Sequence, residues 1–385
     1  MKIMTFSEFQ LEKKTSEVER NEQTDKIVLE IINNVRKNGD QALFDYAEKF
    51  DRVLLKNLLV SDDEFAEAES LVSKEFAEAI EAAKENIKTF HEAQIEKSWF
   101  LNKADGVMLG QQITPMDRVG VYIPGGKAAY PSTVLMNLIP AHLAGVPSIY
   151  IATPPQANGK INPHVLVAAK SVGVDQVFKM GGAQAVAAFA YGTETVPKVD
   201  KIVGPGNDFV ARAKKWVYGD VAIDMIAGPS EICIVADDSA RANYVAADLL
   251  SQAEHDEAAT AICITTSIRL AEQIKKEIDK QLAELERYEI AEASIENNGR
   301  IIIVRNLKEA FTLVNEIAPE HLQLMIENAT DHLPSVKHAG AIFLGNYSPE
   351  PLGDYLAGPN HTLPTSGTAK FASPLGVYDF MKKSS

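Results

Sequence analysis

Apolar residues recur at helical intervals through the first part of the chain. In DKIVLEIINNVRKNGDQALFDYAEKF (25–50), Ile27, Ile31 and Val35 form one run, Leu43, Tyr46 and Phe50 a second, and Gly39 lies between them. That spacing predicts two amphipathic helices with a break at the glycine. DEFAEAESLVSKEFAEAIEAAKENIKTF (63–90) continues with strong helix formers and one apolar stripe.

The period changes at residue 117. DRVGVYIP (117–124) reads as a strand, followed by glycines, the helix STVLMNLIPAHLAG closed by Gly145, and the strand SIYIAT (148–153). The helix NPHVLVAAKSVG, the strand QVFKM (176–180), the loop GGAQ and the helix AVAAFAYG repeat this order. KIV (201–203), GPGN and DFVARAKKWVYG repeat it again. A β-rich run that ends in glycines and opens a helix is the sequence form of a parallel α/β sheet with ligand loops at its carboxyl ends. After VAIDMIAGPS (221–230) the alternation restarts with EICIVAD, AICITT, RIIIVRN, HLQLMIEN and AGAIFLG. The expected fold class is α/β, with two Rossmann-like, incomplete, doubly wound parallel-sheet domains and a helical N-terminal arm. Residues 1–20 form the arm, 21–116 with 230–375 one domain, and 117–229 a second domain inserted into it.

A length of 385 residues exceeds what one compact core holds, in keeping with two domains. The formal net charge of −15, with no basic stripe, excludes a nucleic-acid partner, because binding a polyanion needs clustered Lys and Arg. No run of about 18 apolar residues is present for a membrane span, and MKIMTFSEFQLEKK lacks a signal core. Cys233 and Cys263 lie in apolar strand-like runs, where buried reduced thiols are expected. The expected location is cytoplasmic.

Several stretches could carry chemistry. YIPGG (122–126), GGAQ (181–184) and GPGN (204–207) could bring backbone N–H groups and helix N-termini to a pyrophosphate. None matches G-x-G-x-x-G, since the sixth residue from Gly204 is Phe209, and the same glycines also serve to close tight βα turns. In SQAEHDE (251–257), Gln252 and His255 are three apart and would be helix-surface neighbours able to meet one ion. A solvated helix face accounts for the same spacing, and glutamine is not among zinc's usual ligands. In APEHLQLMI (318–326), Glu320 and His321 fall at a loop–strand junction and could divide base and acid roles near neutral pH. AGPSE places Ser230 and Glu231 at the mouth of a strand, and EPLGDYLAGPNHTLPTSG (350–367) holds Asp354, Asn360 and His361 in one Gly- and Pro-rich loop.

Together these stretches resemble the histidinol dehydrogenase family. The segments that carry the resemblance are RVGVYIPGGKAAYPSTVLMN, VFKMGGAQAVAAFAYGTETVPKVDKIVGPGN, AIDMIAGPSE, DLLSQAEHD, APEHLQL, GDYLAGPNHTLPT and GVYDFMKKSS, in the family's order from residue 117 onward. The resemblance implies oxidation of L-histidinol to L-histidine through the aldehyde with two NAD+, zinc positioning the substrate. It assigns zinc to Gln252, His255 and Asp354, acid–base roles to Glu320 and His321, and NAD contacts to Tyr122, Gln184 and Asn207. Ser230 and His361 would touch substrate, together with His321 and the zinc ligands. The inserted domain 117–229 becomes the NAD-binding domain, and a homodimer is expected.

Family members extend beyond the DFMKKSS region into a tail that gives a further zinc-ligand histidine and a substrate-contacting glutamate to the other subunit's site. Here Ser385 is the last residue and no histidine follows His361. The expectations drawn from this are weak zinc binding and impaired turnover. A sister dehydrogenase acting on another small polar alcohol, and a nucleotide-binding fragment without catalysis, are the alternatives.

Overall fold

A computed structural model of the chain describes residues 1–15, 22–125 and 130–385. From the amino terminus come β1 (Lys2–Thr5), α1 (Phe6–Thr15), α2 (Glu22–Tyr46), α3 (Asp62–Leu71), α4 (Lys74–Glu92), β2 (Trp99–Asn102) and β3 (Met108–Pro115). The first alternating region holds β4 (Arg118–Tyr122), α5 (Pro131–Ala144), β5 (Ser148–Thr153), α6 (Pro163–Val172), β6 (Gln176–Lys179) and α7 (Gly182–Tyr191). It ends with β7 (Lys201–Val203), α8 (Asp208–Val217) and β8 (Ala222–Ile223). The second holds β9 (Glu231–Ala236), α9 (Ala242–Ala253), β10 (Thr260–Thr265), α10 (Ile268–Leu282), α11 (Tyr288–Asn297) and β11 (Arg300–Ile303). Then come α12 (Leu307–Ile317), β12 (His321–Met325), β13 (Ala341–Leu344) and, near the carboxyl terminus, β14 (Met381–Ser384).

The elements divide into a larger unit, Asn21–Ile226 with Asp354–Thr362 and Leu375–Ser385, and a smaller one, Met1–Arg20 with Ala227–Gly353 and Leu363–Pro374. In the larger unit a parallel sheet has the order β6-β5-β4-β7-β8. Successive strand residues point to opposite faces. Val119 and Val121 pack with Ile87, Leu135 and Val165 of α4, α5 and α6, whereas Tyr122 packs with Val28, Phe189 and Val210 of α2, α7 and α8. Residues 21–116, which the sequence pattern groups with 230–375, fold in this unit instead. The cause is α7, whose residues Ala183–Ala190 are buried throughout and need a second apolar layer, supplied by Val28, Ile31, Ile32 and Val35 of α2. Helix α2 is interrupted at Gly39, as the spacing predicts. An antiparallel hairpin of β2 and β3, extended by β14, has no counterpart in the expected elements. It leaves Trp99, Phe100, Leu101, Met108 and Leu109 exposed.

In the smaller unit the parallel sheet has the order β1-β11-β10-β9-β12-β13. The N-terminal arm is not wholly helical, because β1 joins this sheet as an edge strand from Lys2↔Arg300 to Thr5↔Ile303. Ile232 and Ile234 face α9, α10 and α11, and Val235 and Leu322 face α12. Cys233 and Cys263 stand on adjacent strands but on opposite faces, and both are free, buried thiols.

With β1 set aside, both sheets wind alike. Each lays two strands outward from a central first one, then returns to place two on its other side, so switch points fall between β4 and β7 and between β9 and β12. Among the described residues no helix is long and apolar enough to cross a membrane.

Candidate active site

In the larger unit the glycine loops leave the carboxyl ends of β4, β6 and β7. Tyr122 closes β4, and its buried hydroxyl accepts a hydrogen bond from the Gly182 N–H at 3.1 Å. Burial pushes this phenol up to about 12, so it stays neutral. Gln184 is buried in the first turn of α7. Gly181 packs so closely on Pro154 that a Cβ there would collide with the proline ring. Gly204, with φ of +109°, lies against the Tyr122 carbonyl and could carry no side chain. Its N–H donates to Asp224 Oδ2 at 2.8 Å, and its carbonyl accepts from Lys214 Nζ at 3.0 Å. Lys214 and Asp224 form a buried ion pair, so this bend is held from both sides. Asn207 is exposed and caps α8, accepting from the Val210 N–H at 3.2 Å. Tyr122 and Asn207 thus lie at the carboxyl ends of the adjacent strands β4 and β7, and Gln184 follows β6, two strands from β4, with Gly182 beside it bonded back to Tyr122. Gly126 of the first loop, with 127–129, lies outside the described residues.

The segment 354–362 belongs to the same unit. His361 donates from Nδ1 to the Asp354 carbonyl at 2.8 Å, and its Nε2 is 3.2 Å from Thr133 Oγ1 on α5. Behind it, Asn360 Nδ2 donates to the Met136 carbonyl at 2.6 Å and to His91 Nε2 at 3.3 Å. His91 is fully buried, its Nδ1 donates to the Ile87 carbonyl at 2.8 Å, and burial holds its pKa below the ordinary 6.5.

In the smaller unit the candidates stand at the amino ends of strands, on both sides of the switch point. The half-buried Ser230 precedes β9 and Glu320 precedes β12. The backbone of Glu231, the first residue of β9, orients both Glu320 and His321. Its N–H donates to Glu320 Oε2 at 2.9 Å, and its carbonyl accepts from His321 Nδ1 at 3.0 Å. A carbonyl can only accept, so the ring proton sits on Nδ1 and the neutral imidazole has its basic lone pair on Nε2. Glu320 Oε2 is 3.6 Å from His321 Nδ1, and Glu350 Oε1 is 3.9 Å from His321 Nε2. All three side chains are buried. The Glu231 carboxyl accepts from the Ser366 N–H at 3.1 Å, and burial raises it above the usual carboxylate range.

Helix α9 brings Gln252 to this end of the sheet. The residue is 1% exposed, and its Oε1 has no hydrogen-bond partner among the described residues. His255 is not on the helix face expected for it. It lies past the C-cap Glu254, exposed in a turn, its N–H donating to the Gln252 carbonyl at 3.2 Å.

The histidinol dehydrogenase family model matches residues 14–385. The histidinol dehydrogenase of Oceanobacillus iheyensis is 57% identical, with the match covering 100% of this chain and 90% of that protein. That of Bacillus thuringiensis subsp. konkukian is 60% identical over 93% of this chain and 83% of its own length. The crystal structure of histidinol dehydrogenase from Elizabethkingia anophelis superposes with a TM-score of 0.95 at 41% identity, covering 100% of this chain and 88% of that one.

The chain belongs to the histidinol dehydrogenase family.

An acetylating aldehyde dehydrogenase from Geobacillus thermoglucosidasius matches 94% of this chain and 96% of its own with a TM-score of 0.52 at 13% identity, a likeness of fold alone. The expectation of impaired turnover finds no support in the matches to histidinol dehydrogenases, which run through the whole or nearly the whole of this chain. In this family member two buried residues escape a sequence reading. Glu350 lies in a Pro- and Gly-rich stretch where burial is invisible, and it is 2% exposed. Gln323 had a signal, a lone amide in the apolar run HLQLM.

Proposed function

We propose that this chain is a zinc- and NAD-dependent histidinol dehydrogenase that oxidises L-histidinol to L-histidine through the aldehyde, the last step of histidine biosynthesis. The observation that carries this reading is the backbone of Glu231 holding Glu320 and His321 at once beside the buried Glu350 carboxylate, with the buried Gln252 amide oxygen, which has no partner among the described residues, at the same end of the sheet. The donor set fits a cation. Gln252 Oε1 is an oxygen that a bound ion would satisfy, at the C-terminal end of a helix, where the dipole favours positive charge. We assign zinc to Gln252, His255 and Asp354, the last two on the family resemblance. The glycine loops fit a pyrophosphate, because Gly181 and Gly204 leave backbone where a side chain would collide, next to two helix N-termini. NAD contacts fall to Tyr122, Gln184 and Asn207, and Ser230 and His361 are assigned to substrate.

When bound, zinc would hold the imidazole and amino nitrogens of the substrate, and NAD+ would accept a hydride in each of two oxidations. His321 takes the hydroxyl proton on Nε2 in the first oxidation, and the Glu350 carboxylate 3.9 Å away favours the imidazolium so formed. Glu320 then removes a proton from the water that adds to the aldehyde carbonyl, and the His321 imidazolium returns its proton to the carbonyl oxygen, so that the hydrate forms and Nε2 is free again. His321 takes the hydroxyl proton of the resulting hydrate as the second hydride leaves. A homodimer is part of the reading, supported by the exposed apolar hairpin of Trp99, Phe100 and Leu101. The cytoplasmic assignment is supported by two free buried thiols.

The zinc-loaded chain should release two NADH per L-histidinol consumed. A panel of small polar alcohols, a sulfonated diol among them, checks the substrate. Faster oxidation of another alcohol, or NAD binding without NADH formation, sinks the proposal.

A further inference from the structure

Gln323 has no place in the chemistry above, yet it is fully buried in the middle of β12. Its Nε2 donates to Asp248 Oδ2 on α9 at 2.7 Å and to the Ser348 carbonyl at 3.2 Å. Both amide hydrogens are therefore engaged, one by the helix that carries Gln252 and one by the loop that leads to Glu350. An isolated buried carboxylate and amide are costly groups in such a place, and apolar residues of similar volume would pack there with comparable stability. What an apolar pair lacks is a fixed position along the interface.

The bond sets a register. Strands β9, β10 and β12 are parallel, so α9, which crosses over from β9 to β10, runs antiparallel to β12. From Asp248 to Gln252 is one helical turn, a rise of about 6 Å on the same face. From Gln323 back to His321 is a step of about 6.6 Å on the same face of the strand. Because helix and strand run in opposite directions, both steps lead the same way. Pinning Asp248 to Gln323 sets Gln252 level with His321, and the second hydrogen bond ties the Glu350 loop to the same point.

We propose that Gln323, with Asp248, is a positioning residue of this site, a register clamp that aligns Gln252 and Glu350 with His321. The inference rests on the assignment of Gln252 to the metal. Its test is a double variant of the full chain, Asp248→Leu with Gln323→Met, which removes both polar partners together and leaves neither orphaned in the core. The conservative Asp248→Asn, which keeps an acceptor oxygen, is the rescue control. Zinc affinity is measured with zinc alone against a competing chelator, and a crystal structure of the zinc-free double variant gives the Gln252–His321 geometry.

The double variant should melt within a few degrees of the wild type, bind zinc about 10- to 100-fold more weakly, and show Gln252 Oε1 displaced from His321 by more than about 0.5 Å. Asp248→Asn should retain zinc affinity near that of the wild type. A folded double variant with unchanged zinc affinity and unchanged geometry overturns the clamp. Failure of the wild-type chain to bind zinc overturns the metal assignment, and the crystal geometry then decides the clamp by itself.

Discussion

In the larger unit Tyr122, Gln184 and Asn207 close or follow β4, β6 and β7, whereas in the smaller unit Ser230, Glu320 and His321 precede or open β9 and β12. The sheets share one winding order, and the two groups stand at opposite ends of the strands, at the switch point for all but Gln184, which follows the edge strand β6. The carboxyl end offers helix N-termini and backbone N–H groups, a partly positive surface suited to an anion. The amino end offers the C-terminal turn of α9 and the Glu231 carbonyl, a partly negative surface suited to a cation and to an imidazole N–H. On the proposed assignments, the charge of the ligand, more than the fold, would decide which end is used.

If this division holds, each end can be damaged without the other. The largest effect is expected for His321→Asn, which removes the proton acceptor at Nε2. Turnover should fall by about 10²- to 10⁴-fold, while NAD affinity, read by fluorescence titration, stays within a factor of two or so. Equal loss of both would break the separation. Next comes Gly204→Ala, which forces a side chain into positive φ against the Tyr122 carbonyl. A stability cost of about 1–3 kcal/mol and loss of NAD binding are expected, with zinc content unaltered. Retained NAD affinity would remove the larger unit's crevice from the mechanism.

The smallest effect concerns His91, behind the segment that carries His361. Its folded pKa lies below the ordinary 6.5, so as pH falls the unfolded chain takes up the proton first. Stability from this group is full above about pH 6.5 and is lost as pH drops toward the folded value. His91→Gln should therefore flatten the decline of Tm between about pH 7 and 5. An unchanged slope would mean that this histidine adds nothing to the acid sensitivity of the larger unit.

Most strands and helices were legible because β-runs, glycines and apolar stripes alternate with a regular period. The Trp99–Pro115 hairpin was not, since its apolar residues are exposed on both strands and give no one-sided alternation. Placing 21–116 required knowing that α7 is buried on every side, a tertiary demand that an alanine-rich stretch does not announce. In the site, the Glu320–His321 pair could be picked out by its chemistry. The role of Glu231 could not, because it is the backbone that acts, and any residue type offers that backbone. Glu350 was hidden for the opposite reason, as a charged residue whose burial depends wholly on the surrounding fold.

The edge strand β1 has a consequence for how the molecule is made. It leaves the ribosome long before its partner β11, which begins at Arg300. At about 5–20 residues per second, the strand waits on the order of 15–60 s, with Ile3 and Met4 unpaired. Its docking is thus a late event in the biogenesis of the smaller unit. A bulky fusion at Met1 would interfere with completing the sheet more than with starting it, and would show as slow maturation of a chain whose larger unit is already folded.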